Sequence, residues 1–306
     1  RAHERRSGES TCTARPGGPV LALVKPMPWV VLSLLVGTVP PVVEPSRGRL
    51  FGAFLDRAKA SAPSVDPDRA KASVLLQRRS LADCEAAVEL LERALRRTPD
   101  DASLCLECAT ALNAVMRQKT HSNTLHITRM LDTAESKRVW AQHGPRALAL
   151  AQKAKVARPT DPEALLAYCD AFFFANSVKG VLAAATTGSG LRFRANSKEL
   201  IARCPSLDGG IGHCYLGAFY LMAPWPLKND YLAKTHLHEA HRLVPSRRNC
   251  YYLGVLHYRL GDYRTAAPYF RAATKAPCNS ASERDFGEFM RTASVEALRA
   301  CEAELT

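Results

Sequence analysis

The chain has 306 residues, 47% of them hydrophobic, and carries 42 Lys and Arg against 29 Asp and Glu, a formal net charge of +13. That is enough chain for a buried core, in one elongated domain or two smaller ones. The basic balance favours acidic partners, anionic membrane surfaces or an organelle-targeted proteome, whereas the lack of a long Lys/Arg run or an aromatic–basic recognition motif argues against nucleic acid.

Residues 1–50 differ from the rest of the chain. The chain opens on Arg1 rather than Met, which reads as a fragment or a processed product. Arg1, Arg5, Arg6 and Arg15 sit among Ser, Thr and Gly, and a charge-free stretch runs from Pro26 to Val43. A membrane span needs about 20 apolar residues; this stretch is shorter and is broken by Pro28, Pro40 and Pro41. A basic segment with a short apolar centre after it predicts a targeting signal or a weak membrane anchor, with membrane association through 26–43. Residues 51–67 read as a Pro- and Ala-rich linker with a short helix at Leu50 to Lys59, and 68–304 as one helical domain.

Within that domain one register recurs. Ala87, Leu91 and Ala94 precede Pro99; Ala147, Ala151 and Ala154 precede Pro159; Ala233, Leu237 and Ala240 precede Pro245. Ala266, Phe270 and Ala273 precede Cys278, with Pro277 one place earlier. Each set keeps the offsets 4, 3 and 5. The pattern is an apolar helix face closed by a proline, which cannot continue a helix. A weaker fifth copy ends at Pro205. Between Pro99 and Pro159 the excess length predicts an extra or extended helix over Leu125 to Trp140. Leu165 to Phe174 reads as an apolar helix, Thr186 to Gly190 as a loop, and Ser197 to Arg203 as a short helix. From Arg247 to Pro277 the chain reads as helix, turn, helix. Leu253, Leu256 and Leu260 recur at helical spacing, Gly261-Asp262 makes the turn, and small Gly254 and Ala266 allow close approach.

This helix–turn–helix unit resembles a tetratricopeptide repeat, whose period is about 34 residues. The predicted fold is all-α: a right-handed α-solenoid of about four to five divergent hairpins. Leu207-Asp208-Gly209-Gly210, then Leu216-Gly217, then Ala223-Pro224-Trp225-Pro226 sharpen the likeness. They resemble the divergent repeats of the TatT family, the T component of TRAP transporters, and of the regulator of microtubule dynamics family. The resemblance covers roughly Ala141 to Cys301. It implies a fold without known catalytic residues that binds a protein or small ligand between stacked hairpins. The eukaryotic group often carries an N-terminal mitochondrial membrane anchor; the bacterial group is exported. The expected location is therefore intracellular, in a mitochondrion or plastid or tethered to a membrane, with the bacterial periplasm as the alternative. Trp225 is expected to cap the core between hairpins.

No cofactor is expected. The ten cysteines are scattered, with Cys105, Cys108, Cys169, Cys214 and Cys250 on apolar faces, which suits buried thiols better than a disulfide framework. Cys105-x-x-Cys108 lacks the second pair that structural zinc needs. His236, His238 and His241 lack zincin spacing and read as a polar helix face, and Gly209-Gly210-x-Gly212 as a helix-entry turn. No carboxylate or nucleophile constellation nominates an enzyme.

The partner surface comes from the repeat register. On the first helix of the last unit it selects Arg248, Tyr251, Val255, Tyr258 and Arg259, and the preceding unit adds Leu221. That predicts a basic, aromatic groove for an acidic or amphipathic protein segment. Solvated arginines and packed tyrosines remain the alternative there. Leu216, Gly217, Trp225, Pro245, Leu253, Gly254, Gly261, Ala266 and Phe270 are expected to define the repeat. The two functional expectations are a non-catalytic adaptor and a TatT-like ligand-binding accessory of a transport system.

Overall fold

The computed structural model describes residues 66–121, 125–128, 133–180 and 187–306. The expectations for 1–50, for 26–43 and for a helix at 50–59 lie outside these residues. Among the described residues the fold is all-helical, with eleven helices and no strand. In chain order they are α1 Pro67–Arg78, α2 Leu81–Arg97, α3 Ala102–Thr120, α4 Ala134–Ala157, α5 Pro162–Ser177, α6 Ser189–Arg203, α7 Leu207–Met222, α8 Asp230–Leu243, α9 Arg247–Arg259, α10 Tyr263–Lys275 and α11 Ala281–Leu305.

Consecutive helices pack in sequence, most of them joined by a few residues, with the longer connections at 121–133 and 178–188. The result is five hairpins, α1/α2 to α9/α10, and then α11. The starts are written in the sequence. Asp66, Ser80, Asp101, Thr133, Asp161, Asn229, Ser246, Asp262 and Ser280 each accept a backbone amide of the following helix with the side chain. Each cap satisfies a donor that the helix itself leaves open. The stops match the prolines: α2, α4, α6, α8 and α10 end two residues before Pro99, Pro159, Pro205, Pro245 and Pro277. Pro245 is exposed just past α8, as a terminator should be.

The alanine register is the core of the solenoid. Ala87, Leu91, Ala94, Ala147, Ala151, Ala154, Ala233, Leu237, Ala240, Ala266, Phe270 and Ala273 are all buried. Two glycines set how closely hairpins close. A Cβ on Gly254 would meet the Phe270 ring at 2.6 Å, and one on Gly217 would meet Leu237 at 2.5 Å. Leu216 and Leu253 are buried beside them, and Gly261 turns the chain at φ 77°.

Three expectations need correction. The segment 125–128 is not helical; α4 starts only at Ala134, capped by Thr133. Helix α6 starts at Ser189, well before Ser197, because left-handed Gly188 supplies its N-cap position. Trp225 does not cap the core: it is 89% exposed. It sits between Pro224 and Pro226 in the turn after α7, outside the helices that pack on one another.

Candidate functional site

The odd-numbered helices α3, α5, α7, α9 and α11 turn charged side chains toward one another, and these are buried. Arg117 of α3 donates to Asp170 of α5 at 2.6 Å and to Asp285 of α11 at 2.8 Å. Asp285 also accepts Arg79 at 2.8 and 2.9 Å and Gln118 at 3.2 Å. Asp170 in turn accepts the Tyr215 hydroxyl of α7. Arg79 is placed by its own backbone, since it ends α1 in the left-handed region at φ 65° and reaches the Ala281 carbonyl at 2.9 Å.

A second cluster lies around Arg248 of α9. Its guanidinium donates to the Asp208 carboxylate at 3.1 Å, to the Ser282 hydroxyl at 3.0 Å and to the Asp208 carbonyl. Glu283 of α11 stands 3.6 Å away and accepts the Ser246 hydroxyl. Asp208, Gly209 and Gly210 have φ of 46°, 70° and 78°, so the chain kinks at the start of α7. That kink turns the Gly209 carbonyl toward α9, where the Asn249 side-chain amide donates to it at 2.8 Å; the same amide reaches the Ala240 and Val244 carbonyls at the end of α8 at 3.0 and 2.8 Å. The expected helix-entry turn is thus a docking point for Arg248 and Asn249.

Electrostatics here are set by burial and partners. Burial pushes the Asp170 carboxyl up, and Arg117 and Tyr215 only partly oppose it. Burial also acts on Asp208, but the Arg248 charge and the Ser282 hydroxyl outweigh it and hold that carboxyl below its usual range. Burial and the Asp170 charge drive the Tyr215 phenol far above its usual value. For Arg248, burial disfavours the charge, yet Cys214, Asp208 and Glu283 together hold it more firmly protonated than in water. Buried ions of this kind persist only when every partner is in place.

The expected groove residues are therefore split. Arg248, Tyr251, Val255 and Leu221 are buried, Arg248 at 1% exposure, and do not line an open surface. Tyr258 and Arg259 are half-buried. Tyr258 packs edge-on against Tyr263 at 5.1 Å. Arg259 donates to the carbonyls of His126 at 2.9 Å and Thr128 at 2.6 Å. Two segments that the register ignored cover the face. One is 125–128; the other is the start of α11, where Phe289 stacks on His121 at 4.7 Å and meets His126 edge-on at 5.4 Å. Burial lowers the pKa of both histidines, which favours neutral rings against Phe289. Sequence reasoning missed Arg79, Arg117, Asp170, Glu283 and Asp285. The one available signal was a set of charged residues inside otherwise apolar helix faces, as in Ala-Tyr-Cys-Asp170-Ala-Phe.

Other candidates carry less. Cys105 and Cys108 are both buried, and burial raises both thiols above their usual pKa. His213 and His236 approach at 3.1 Å between ring nitrogens, and His257 pairs with Asp262 at 3.2 Å. No group of three or more metal-ligating side chains gathers among the described residues. None of the described helices is long and apolar enough to cross a membrane.

No protein-family profile matches the chain, and no curated protein does. Among solved structures, the chain is similar to the crystal structure of a thermophilic TPR protein from Thermus thermophilus. The TM-score is 0.54 at 16% identity, over 76% of this chain and 99% of that one. At that identity the likeness speaks to fold alone, and together with the five hairpins it makes this chain a tetratricopeptide-like helical-repeat solenoid.

Proposed function

We propose that the protein is a non-catalytic helical-repeat adaptor that binds an acidic or amphipathic helical segment of a partner protein on the face formed by α3, α5, α7 and α9. One observation carries this reading. The start of α11 lies on that face as an acidic, aromatic helix, setting Asp285 against Arg79 and Arg117 and Glu283 beside Arg248. The chain thus supplies in cis an example of the chemistry that the face accepts: carboxylates on a guanidinium fork with an aromatic ring alongside. A partner helix of the same pattern competes with the first turns of α11. Ion pairs fill this face, which suits the adaptor better than a transport accessory with an apolar pore.

A labelled peptide spanning residues 279–297 tests this. It is titrated with the full chain and with the Asp285→Ala chain, whose own α11 grips Arg79 and Arg117 less firmly. The expected result is binding at least about tenfold tighter to the variant, since the carboxylate it loses is the one that holds α11 to Arg79, Arg117 and Gln118. No binding to either chain, with the variant still fully helical and α11 exchanging its amides faster, sinks the proposal. Arg248→Glu is no substitute, because it would place a third carboxylate in a buried cluster and unfold the site.

A further inference from the structure

With the odd-helix face covered by α11, the most exposed aromatic side chains among the described residues lie elsewhere. Trp225 is 89% exposed and Tyr231 77% exposed. Both sit on the corner that joins α7 to α8. The corner is firmly built: the amides of Leu227 and Lys228 donate to the Pro224 carbonyl at 2.9 and 3.2 Å. The Asn229 amide donates to the Tyr220 carbonyl at 3.0 Å, and its side chain caps α8 through the Leu232 amide at 2.9 Å. Trp225 is therefore held out on a fixed turn.

The charges around it have one sign in excess. Lys228 and Lys234 are exposed on the same corner, and Lys234 is one helical turn from Tyr231. The Arg194 guanidinium stands over the Phe219 ring, in the last turns of α7, at 5.9 Å. The acidic residue here, Asp230, is bound by Lys228 at 3.3 Å. Trp and Tyr have an apolar body and a polar tip, which suits the boundary between lipid headgroups and acyl chains. Lysine stems lie along such a boundary with the ammonium in the headgroup layer, and acidic lipids attract them. The net charge of +13 acts in the same direction at longer range.

We propose that the α7–α8 corner docks on an anionic membrane surface, with Trp225 and Tyr231 entering the headgroup layer while Lys234 and Arg194 face acidic lipids. This surface is separate from the one that holds α11, so either reading stands without the other.

The test uses the full chain carrying Trp29→Phe, so that emission reports on Trp225 and on the fully buried Trp140. Phosphatidylcholine vesicles with and without phosphatidylserine are the probes. The expected result is a blue shift and co-flotation with the phosphatidylserine vesicles, weakened by salt. Adding Trp225→Ala and Tyr231→Ala lowers the apparent affinity at least about tenfold, because binding scales with the apolar area inserted. Both side chains are exposed, so the substitutions leave the core intact. Equal flotation of the variant and its parent overturns the proposal and assigns the binding to other residues. A parent that ignores both kinds of vesicle also overturns it and leaves the corner to a protein partner.

Discussion

Asp170 and Asp208 are both buried beside an arginine, yet their protons respond in opposite senses. Asp170 lies where burial dominates, so its folded pKa is raised. It binds a proton more readily folded than unfolded, and its contribution to stability declines as the pH rises from about 4 through the folded value. Asp208 is lowered despite burial, because Arg248 and Ser282 favour its anion. Its contribution is present above the ordinary carboxylate pKa and is lost as the pH falls through the depressed folded value. Urea unfolding across pH 3–8 separates the two. The Asp170→Asn chain is expected to gain on the wild type as the pH rises, and the Asp208→Asn chain to fall behind it. Parallel curves for the two variants would contradict the assignment. The layer holds three arginines, Arg79, Arg117 and Arg248, against four carboxyls, Asp170, Asp208, Glu283 and Asp285.

Helices meet by way of small residues, and Gly254 is the clearest case. Gly254→Ala would push a methyl group into the Phe270 ring. Overpacking of this kind costs about 1–3 kcal/mol, against which the better helix propensity of alanine returns at most about 1 kcal/mol. The expected outcome is a net loss in urea unfolding, largely relieved by Phe270→Leu in the same chain; a stabilised single variant would refute the close contact. At this scale the sequence was most legible. Prolines, the Gly261-Asp262 turn and the Ala/Leu/Phe register are local signals within a turn or two of one another, and they located α2, α4, α8, α9 and α10. Arg248 was expected to line an open groove and is buried instead. Its burial depends on Asp208 and Glu283, which lie on other helices, and Asp285 meets Arg79 across 206 residues of sequence. No periodicity encodes such a pairing. Trp225 erred in the opposite direction: its flanking prolines fixed the turn but carried no information about which way the ring would face.

From Pro67 onward the described residues form a repeat array with one element that breaks the pattern. In an open solenoid each unit touches only its neighbours, so stability is a sum of local terms and the ends open first. Here α11 packs on α9 and α10 of the last hairpin and also reaches α3, Gln118 and Arg79 near the beginning. That contact turns the array into a closed loop of dependencies. The terminal hairpins should therefore not fray independently: amides in α1 and α3 are expected to exchange with the same opening free energy as those in α9. Asp285→Ala should accelerate exchange in α1 and α3 while sparing α6, and a graded profile from the chain ends inward would show the clasp to be inert. Cutting a bond near one end would thus be felt at the other, so cooperativity resides in a single helical strut and not in the repeats themselves.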